Sequence, residues 1–183
     1  MKILLTSEQL AEGVARLARE INGHYHQQPL VIVGVMTGSL VLVADLIRQL
    51  DMPLRVGVVQ ARSYRGGATS PGELAIHAEL LPELARRHVL LVDDIFDTGH
   101  TLAALLAQMQ QLAPASLRSA VLLSKLGQQQ VTLRPDHVAF EIPNEFVVGY
   151  GLDYQDEYRN LPYVAALEAA ELAASIADPG PQP

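Results

Sequence analysis

The sequence predicts an α/β protein, a mostly parallel, twisted sheet with helices on both faces. Three observations lead there. Residues 30–35 (LVIVGV) and 89–92 (VLLV) are unbroken apolar runs, the pattern of strands buried on both faces. Each run is followed by a turn of small or acidic residues and then by an apolar segment at helical spacing. The alternation of such strands and helices continues along the chain, which calls for parallel pairing with helices as crossovers.

The elements follow in order. Thr6 and Gln9 fit a capping box, after which Leu10, Val14, Leu17 and Ile21 recur on one helical face. Pro29 opens the first buried strand. Met36-Thr37-Gly38-Ser39 then leads into a helix over 40–50, whose polar residues Asp45, Arg48 and Gln49 share one side. Residues 55–61 read as the next strand. Residues 62–73 carry Ser63, Tyr64, Thr69, Ser70, Pro71 and three glycines, the composition and length of a mobile functional loop. After the strand at 89–92 come a helix over 101–112 and a strand over 117–123. Two short strands, 138–141 and 146–148, flank a turn at Pro143-Asn144. Residues 161–176 read as partly helical, and the Pro-rich 178–183 as a disordered tail. A single domain over 1–177 accounts for the rest.

Composition narrows the classes. The chain has 183 residues, 49% hydrophobic and 18% charged, enough for a substantial core. It has no cysteine, which excludes disulfides and thiolate metal sites. A formal net charge of −7 argues against a nucleic-acid partner. No apolar run suits a signal peptide or a membrane span, so the expectation is a cytoplasmic protein with no membrane partner.

Chemistry concentrates at the end of the 89–92 strand. Asp93 and Asp94 follow it directly, Asp97 comes next, and Thr98-Gly99-His100-Thr101 opens the following helix. A turn rich in amides and hydroxyls at a helix start can hold a phosphate, because free N–H groups and the positive dipole end meet there. Carboxylates beside it suit ribose hydroxyls and a Mg²⁺ ion. One acid would suffice as a helix cap; three after a buried strand ask for a ligand. Met36-Thr37-Gly38-Ser39 is a second strand-to-helix turn whose small residues permit close backbone approach, a natural anion nest.

The 88–101 segment resembles the phosphoribosyl-pyrophosphate signature of type I phosphoribosyltransferases. Residues 140–162, with Phe-Val-Val-Gly-Tyr-Gly-Leu-Asp-Tyr at 146–154, resemble the C-terminal hood of the hypoxanthine (guanine) phosphoribosyltransferases, which would span about 136–165. Similarity extends over roughly 31–164. The resemblance implies that Asp93 and Asp94 bind the ribose hydroxyls and lie near the metal, with Asp93 standing where the family usually has Glu. It implies that Asp97 is the general base beside N7 of a purine, and that Thr98, Gly99, His100 and Thr101 cradle the 5′-phosphate. Thr37, Gly38 and Ser39 would bind pyrophosphate, in a loop that in the family often carries a non-proline cis peptide; Thr37 replaces a common Lys. Arg159 would bind pyrophosphate too. Lys125 would donate to the 6-oxo group, Phe146 would stack on the base, Val147 would meet the base edge, and Asp153 would serve a second metal and the purine site. Ser63 and Tyr64 would start a catalytic lid, with Arg62 and Arg65 beside it.

The expected activity is purine salvage. The 5-phosphoribosyl group passes from phosphoribosyl pyrophosphate to N9 of hypoxanthine or guanine with Mg²⁺, in a homodimer or homotetramer. Two alternatives stand beside it: a xanthine-preferring transferase, and an RNA-binding regulator of the same fold, which the acidic charge and both motifs oppose. His24, His26, His77, His88 and His137 show no metal-ligand spacing, and Tyr150, Tyr154 and Tyr158 read as hood packing.

Overall fold

A computed structural model describes residues 1–63, 74–77, 80–168 and 171. The chain opens on strand β1 (Lys2–Leu5) and helix α1 (Ser7–Tyr25). Thr6 caps α1 as its pattern predicts, and Leu10, Val14, Leu17 and Ile21 are all buried. There follow β2 (Leu30–Met36), α2 (Leu40–Ile47), β3 (Leu54–Ser63), β4 (Leu74–His77), β5 (His88–Phe96), α3 (His100–Gln110), β6 (Ser116–Lys125), β7 (His137–Ile142), β8 (Val147–Val148) and β9 (Val164–Ala166).

The main sheet runs β4-β3-β2-β5-β6-β7. Its five strands from β3 to β7 are parallel, as expected, and β4 is an antiparallel edge. Buried side chains of the central strands point alternately to the two faces and feed two cores. Leu30 and Ile32 of β2 and Leu90 and Val92 of β5 face the cluster of α1 and α2. Val31, Val33, Val89 and Leu91 face the cluster that includes Leu102, Leu105 and Met109 of α3. Both faces of the sheet are therefore covered, which is why these strands read as unbroken apolar runs.

Strand β2 has β3 on one side and β5 on the other, so the order reverses between β2 and β5. Connections leaving neighbouring strands there turn to opposite faces and open a crevice at the carboxyl ends. The 36–39 turn and the 97–100 turn both leave from that crevice. The fold thus puts the two sequence-predicted anion nests side by side.

A second sheet, β1-β9-β8, is antiparallel. Within 161–176, read as partly helical, Val164, Ala165 and Ala166 form a buried strand held between two others, and residue 171 is helical. Pairing on both edges outweighs the helix propensity of alanine. It also draws the N-terminal β1 into the hood, while β7, inside the expected 136–165 hood, belongs to the main sheet. The loop at 62–73 begins as strand through Ser63. Tyr64 to residue 73, and the tail at 178–183, lie outside the described residues.

Candidate active site

Strand β5 runs through the acids instead of stopping before them. Asp93 pairs in register with Val121 of β6, and its side chain is buried. The Asp94 N–H donates to Asp93 Oδ1 at 2.9 Å. Burial and the neighbouring Asp94 charge push the Asp93 carboxyl well above its ordinary value. Burial raises Asp94 as well, opposed by hydrogen bonds to its carboxylate and by the Arg159 guanidinium. Two acids forced together in this way hold a site that favours a cation.

They line a cleft of about 260 Å³ together with Gly38, Asp97, Thr98 and Thr101. Helix α3 starts there. Its cap is Gly99, at φ 89°, and among the described residues no side chain makes a capping hydrogen bond to the first turn. A Cβ at Gly99 would run into Val131 and Phe96, so both the conformation and the space require glycine. Thr98 and Gly99 lie against the cleft, whereas the His100 ring is exposed and meets Gln130 Oε1 at 3.0 Å.

Across the cleft the Met36–Thr37 peptide is cis. A Cβ on Gly38 would overlap the Asp94 carboxylate, and one on Gly151 would overlap the Gly38 carbonyl. The 36–39 turn is thus pinned between the acid pair and the hood. Thr37 is exposed. Ser39 is fully buried, and its hydroxyl and N–H both donate to the Val35 carbonyl, at 2.7 and 3.3 Å. Its donors shape the turn and are not turned toward the cleft, which leaves the Gly38 backbone as the close approach.

Lys125 ends β6, is 8% exposed, and donates to Asp97 Oδ2 at 2.9 Å. Phe146 is 44% exposed, a large aromatic ring left to solvent beside the buried Val147 of β8, and it meets Tyr154 nearly at right angles with centroids 5.2 Å apart. Asp153 is occupied on both oxygens: Oδ1 pairs with Arg159 Nη2 at 2.8 Å and Oδ2 accepts from Asp156 N–H at 2.9 Å. Arg159 also donates to the Gly151 carbonyl at 2.8 Å. Asp153 does not join Asp93 and Asp94: among the described residues no three acids or histidines converge as a metal cage. Ser63 ends β3, paired with Leu74 of β4, and Tyr64 lies outside the described residues.

A family model described as "Phosphoribosyl transferase domain" matches residues 1–155. The chain belongs to this family. Among its relatives, a hypoxanthine-guanine phosphoribosyltransferase of Streptococcus pneumoniae is 36% identical over 91% of this chain and 93% of its own length. One of Staphylococcus epidermidis is 38% identical over the same shares. A solved hypoxanthine phosphoribosyl transferase of Trypanosoma cruzi superposes with a TM-score of 0.91 at 36% identity, covering 97% of this chain and 96% of that one. For a Bacillus anthracis hypoxanthine-guanine phosphoribosyltransferase the figures are 0.87, 33%, 92% and 99%.

Within this phosphoribosyl transferase domain, several groups escaped the sequence reading. Tyr150 does more than pack: its hydroxyl donates to Asp45 Oδ2 at 2.7 Å and ties the hood to α2. Burial and that carboxylate push the phenol far up. Three of the histidines expected to be scattered gather around Tyr25 at the opposite end of the sheet. His24 lies edge-on to Tyr25 and to His137, and His88 edge-on to Tyr25. Burial pushes the Tyr25 phenol up to about 12 and the His24 imidazole down. No helix among the described residues is long and apolar enough to cross a membrane.

Proposed function

We propose that this chain transfers the 5-phosphoribosyl group of phosphoribosyl pyrophosphate to N9 of hypoxanthine, guanine or both, releasing pyrophosphate; its relatives are named hypoxanthine-guanine or hypoxanthine phosphoribosyltransferases. The observation that carries this reading is the Asp97–Lys125 contact at 2.9 Å on the rim of the cleft. An acceptor and a cationic donor side by side match the N7–H and C6=O edge of a 6-oxopurine. The amino group of adenine at that position cannot accept from the ammonium.

The remaining roles follow from position. The open first turn of α3, with Thr98 and Thr101, receives the 5′-phosphate. Asp93 and Asp94 accept from the ribose hydroxyls. The backbone of Gly38 and the Arg159 guanidinium face the departing pyrophosphate, and Phe146 offers its ring to the base. As the C1–O bond breaks, positive charge grows on the sugar, and the nearby carboxylates stabilise that charge. Asp97 shares the N7 proton and makes N9 the better nucleophile.

The acid pair fits Mg²⁺: hard oxygen donors on two adjacent carboxyls, whose charged forms burial disfavours and a cation would favour, lining an open cleft. A magnesium ion there supplies charge neutralisation for the pyrophosphate. Asp153, already engaged by Arg159, would have to exchange that partner to serve a second ion. The same reading carries a cytoplasmic homodimer or homotetramer. The test is a steady-state assay with Mg²⁺ and the phosphoribosyl donor, scored for pyrophosphate release with hypoxanthine, guanine and xanthine in turn. Release with xanthine alone would move the assignment to that base, and release with none of the three would end it.

A further inference from the structure

The loop from Lys125 to the start of β7 does more than connect two strands. It leaves the base-facing lysine, and Gln129 Nε2 turns back to donate to the Lys125 carbonyl. It then crosses to the phosphate turn. There the Gln130 N–H donates to the Thr98 carbonyl at 2.9 Å, the Gln130 side-chain oxygen meets His100 Nε2 at 3.0 Å, and Val131 fills the space that a side chain at Gly99 would need. Three consecutive residues of the phosphate turn, 98 to 100, are each met by this one loop.

We propose that Gln130 is a positioning residue for the phosphate, holding the His100 ring and the Thr98–Gly99 turn in the shape that receives it. A carboxamide oxygen only accepts, so His100 Nε2 carries the hydrogen in this arrangement and the imidazole is fixed in orientation at the first position of α3. The backbone bond to Thr98 holds the turn from below, and the side-chain bond holds it from the flank. Without the side-chain contact, the exposed ring is free to swing across the mouth of the cradle. The phosphate group would then meet a turn whose donors are less well placed, while the base site at Asp97 and Lys125 would be unaffected. This inference rests on the phosphoribosyl reading of residues 98–101.

The test separates the two. Gln130→Met keeps length and flexibility and removes the acceptor. It is expected to raise KM for the phosphoribosyl donor about three- to tenfold, the worth of one ordinary hydrogen bond. The kcat and the KM for the base should stay within about twofold of wild type, since neither reads the contact. Because Gln130 acts through His100, the same substitution in a His100→Ala background should add less than about twofold. A loop that merely failed to fold would lower kcat and thermal stability together and would act equally in both backgrounds, overturning the proposal. So would an unchanged donor KM. Calorimetry with ribose 5-phosphate reads the cradle without turnover. A wild-type protein inactive on every base, yet losing ribose 5-phosphate affinity on Gln130→Met, would refute purine transfer and uphold the role of Gln130.

Discussion

Helix α1 begins on Thr6, whose hydroxyl accepts from Gln9 N–H at 3.3 Å while its own N–H donates to Gln9 Oε1 at 2.9 Å. Helix α3 begins on Gly99, in a left-handed conformation, with no side-chain capping hydrogen bond to its first turn among the described residues. Both starts have the same unsatisfied N–H groups and the same positive dipole end. One is closed by its own chain and the other is left for something else to close. The closed start lies on a surface helix; the open one lies at the sheet's switch point, beside two acids that burial has driven away from their ordinary values. A local rule that goes unfulfilled beside a cluster of costly charges marks where a ligand supplies the missing interactions.

On this contrast, damage at the open start should cost chemistry and damage at the closed start should cost stability. The largest effect is expected from Asp97→Asn, which keeps shape and removes the proton acceptor just before the α3 turn. Turnover should fall about 10²–10⁴-fold with little change in donor affinity or melting temperature. Near-normal kcat would remove Asp97 from the chemistry. Lys125→Ala comes next. Loss of a charged donor should narrow the preference for oxopurines over adenine by about ten- to a hundredfold, read as a ratio of kcat/KM values. An unaltered ratio would assign base recognition elsewhere. Gly99→Ala should raise donor KM by about tenfold or more and also lower stability, because the added methyl meets Val131 and Phe96 at a strained φ.

Asp93→Asn sets the two properties against each other. Asp93 is held above its ordinary value, so its carboxyl stabilises the fold fully below about pH 3.8, and that stabilisation is lost as pH rises through the raised value. The asparagine variant should therefore melt higher than wild type at neutral pH without ligand, by about 2–4 °C for each kcal/mol gained. The gap should shrink as the solution is acidified, while donor binding weakens at every pH. A variant that melts lower at pH 8 would show that the charge is better satisfied than its surroundings indicate. The smallest effect is kept for the closed start. Thr6→Ala should cost about 1 kcal/mol of stability, visible in thermal melts, with kcat and every KM unchanged.

What the sequence revealed depended on how local the signal was. Strand β5 and its acids could be read because a buried parallel strand needs no partner to declare itself: four apolar residues in a row, then charge. The α1 capping box lies within four residues and was read just as directly. Strands β1, β4 and β9 were missed because each has four residues or fewer, and β1 and β9 are strands only by virtue of distant partners. Lys2 finds Ala166, across nearly the whole chain. At the site, the order of motifs located Asp93, Asp94 and Gly99. It could not show that Lys125 would reach Asp97, that Tyr150 would reach Asp45, or that the Ser39 hydroxyl would turn back on Val35. Those are side-chain orientations set by packing, and periodicity carries no record of them.

The pairing of β1 with β9 reaches beyond stability. Every strand of the crevice has been made by the time the ribosome passes Phe96, but the sheet that carries Phe146 and Val147 cannot close until Ala166 is available to lie between its neighbours. During synthesis the turns of the crevice, the sugar-phosphate grip of the proposed function, can therefore mature before the sheet beside Phe146 exists, and long-range closure of that kind is slow. The last sheet to close is the one beside Phe146, after the strand that carries Lys125 has already been made.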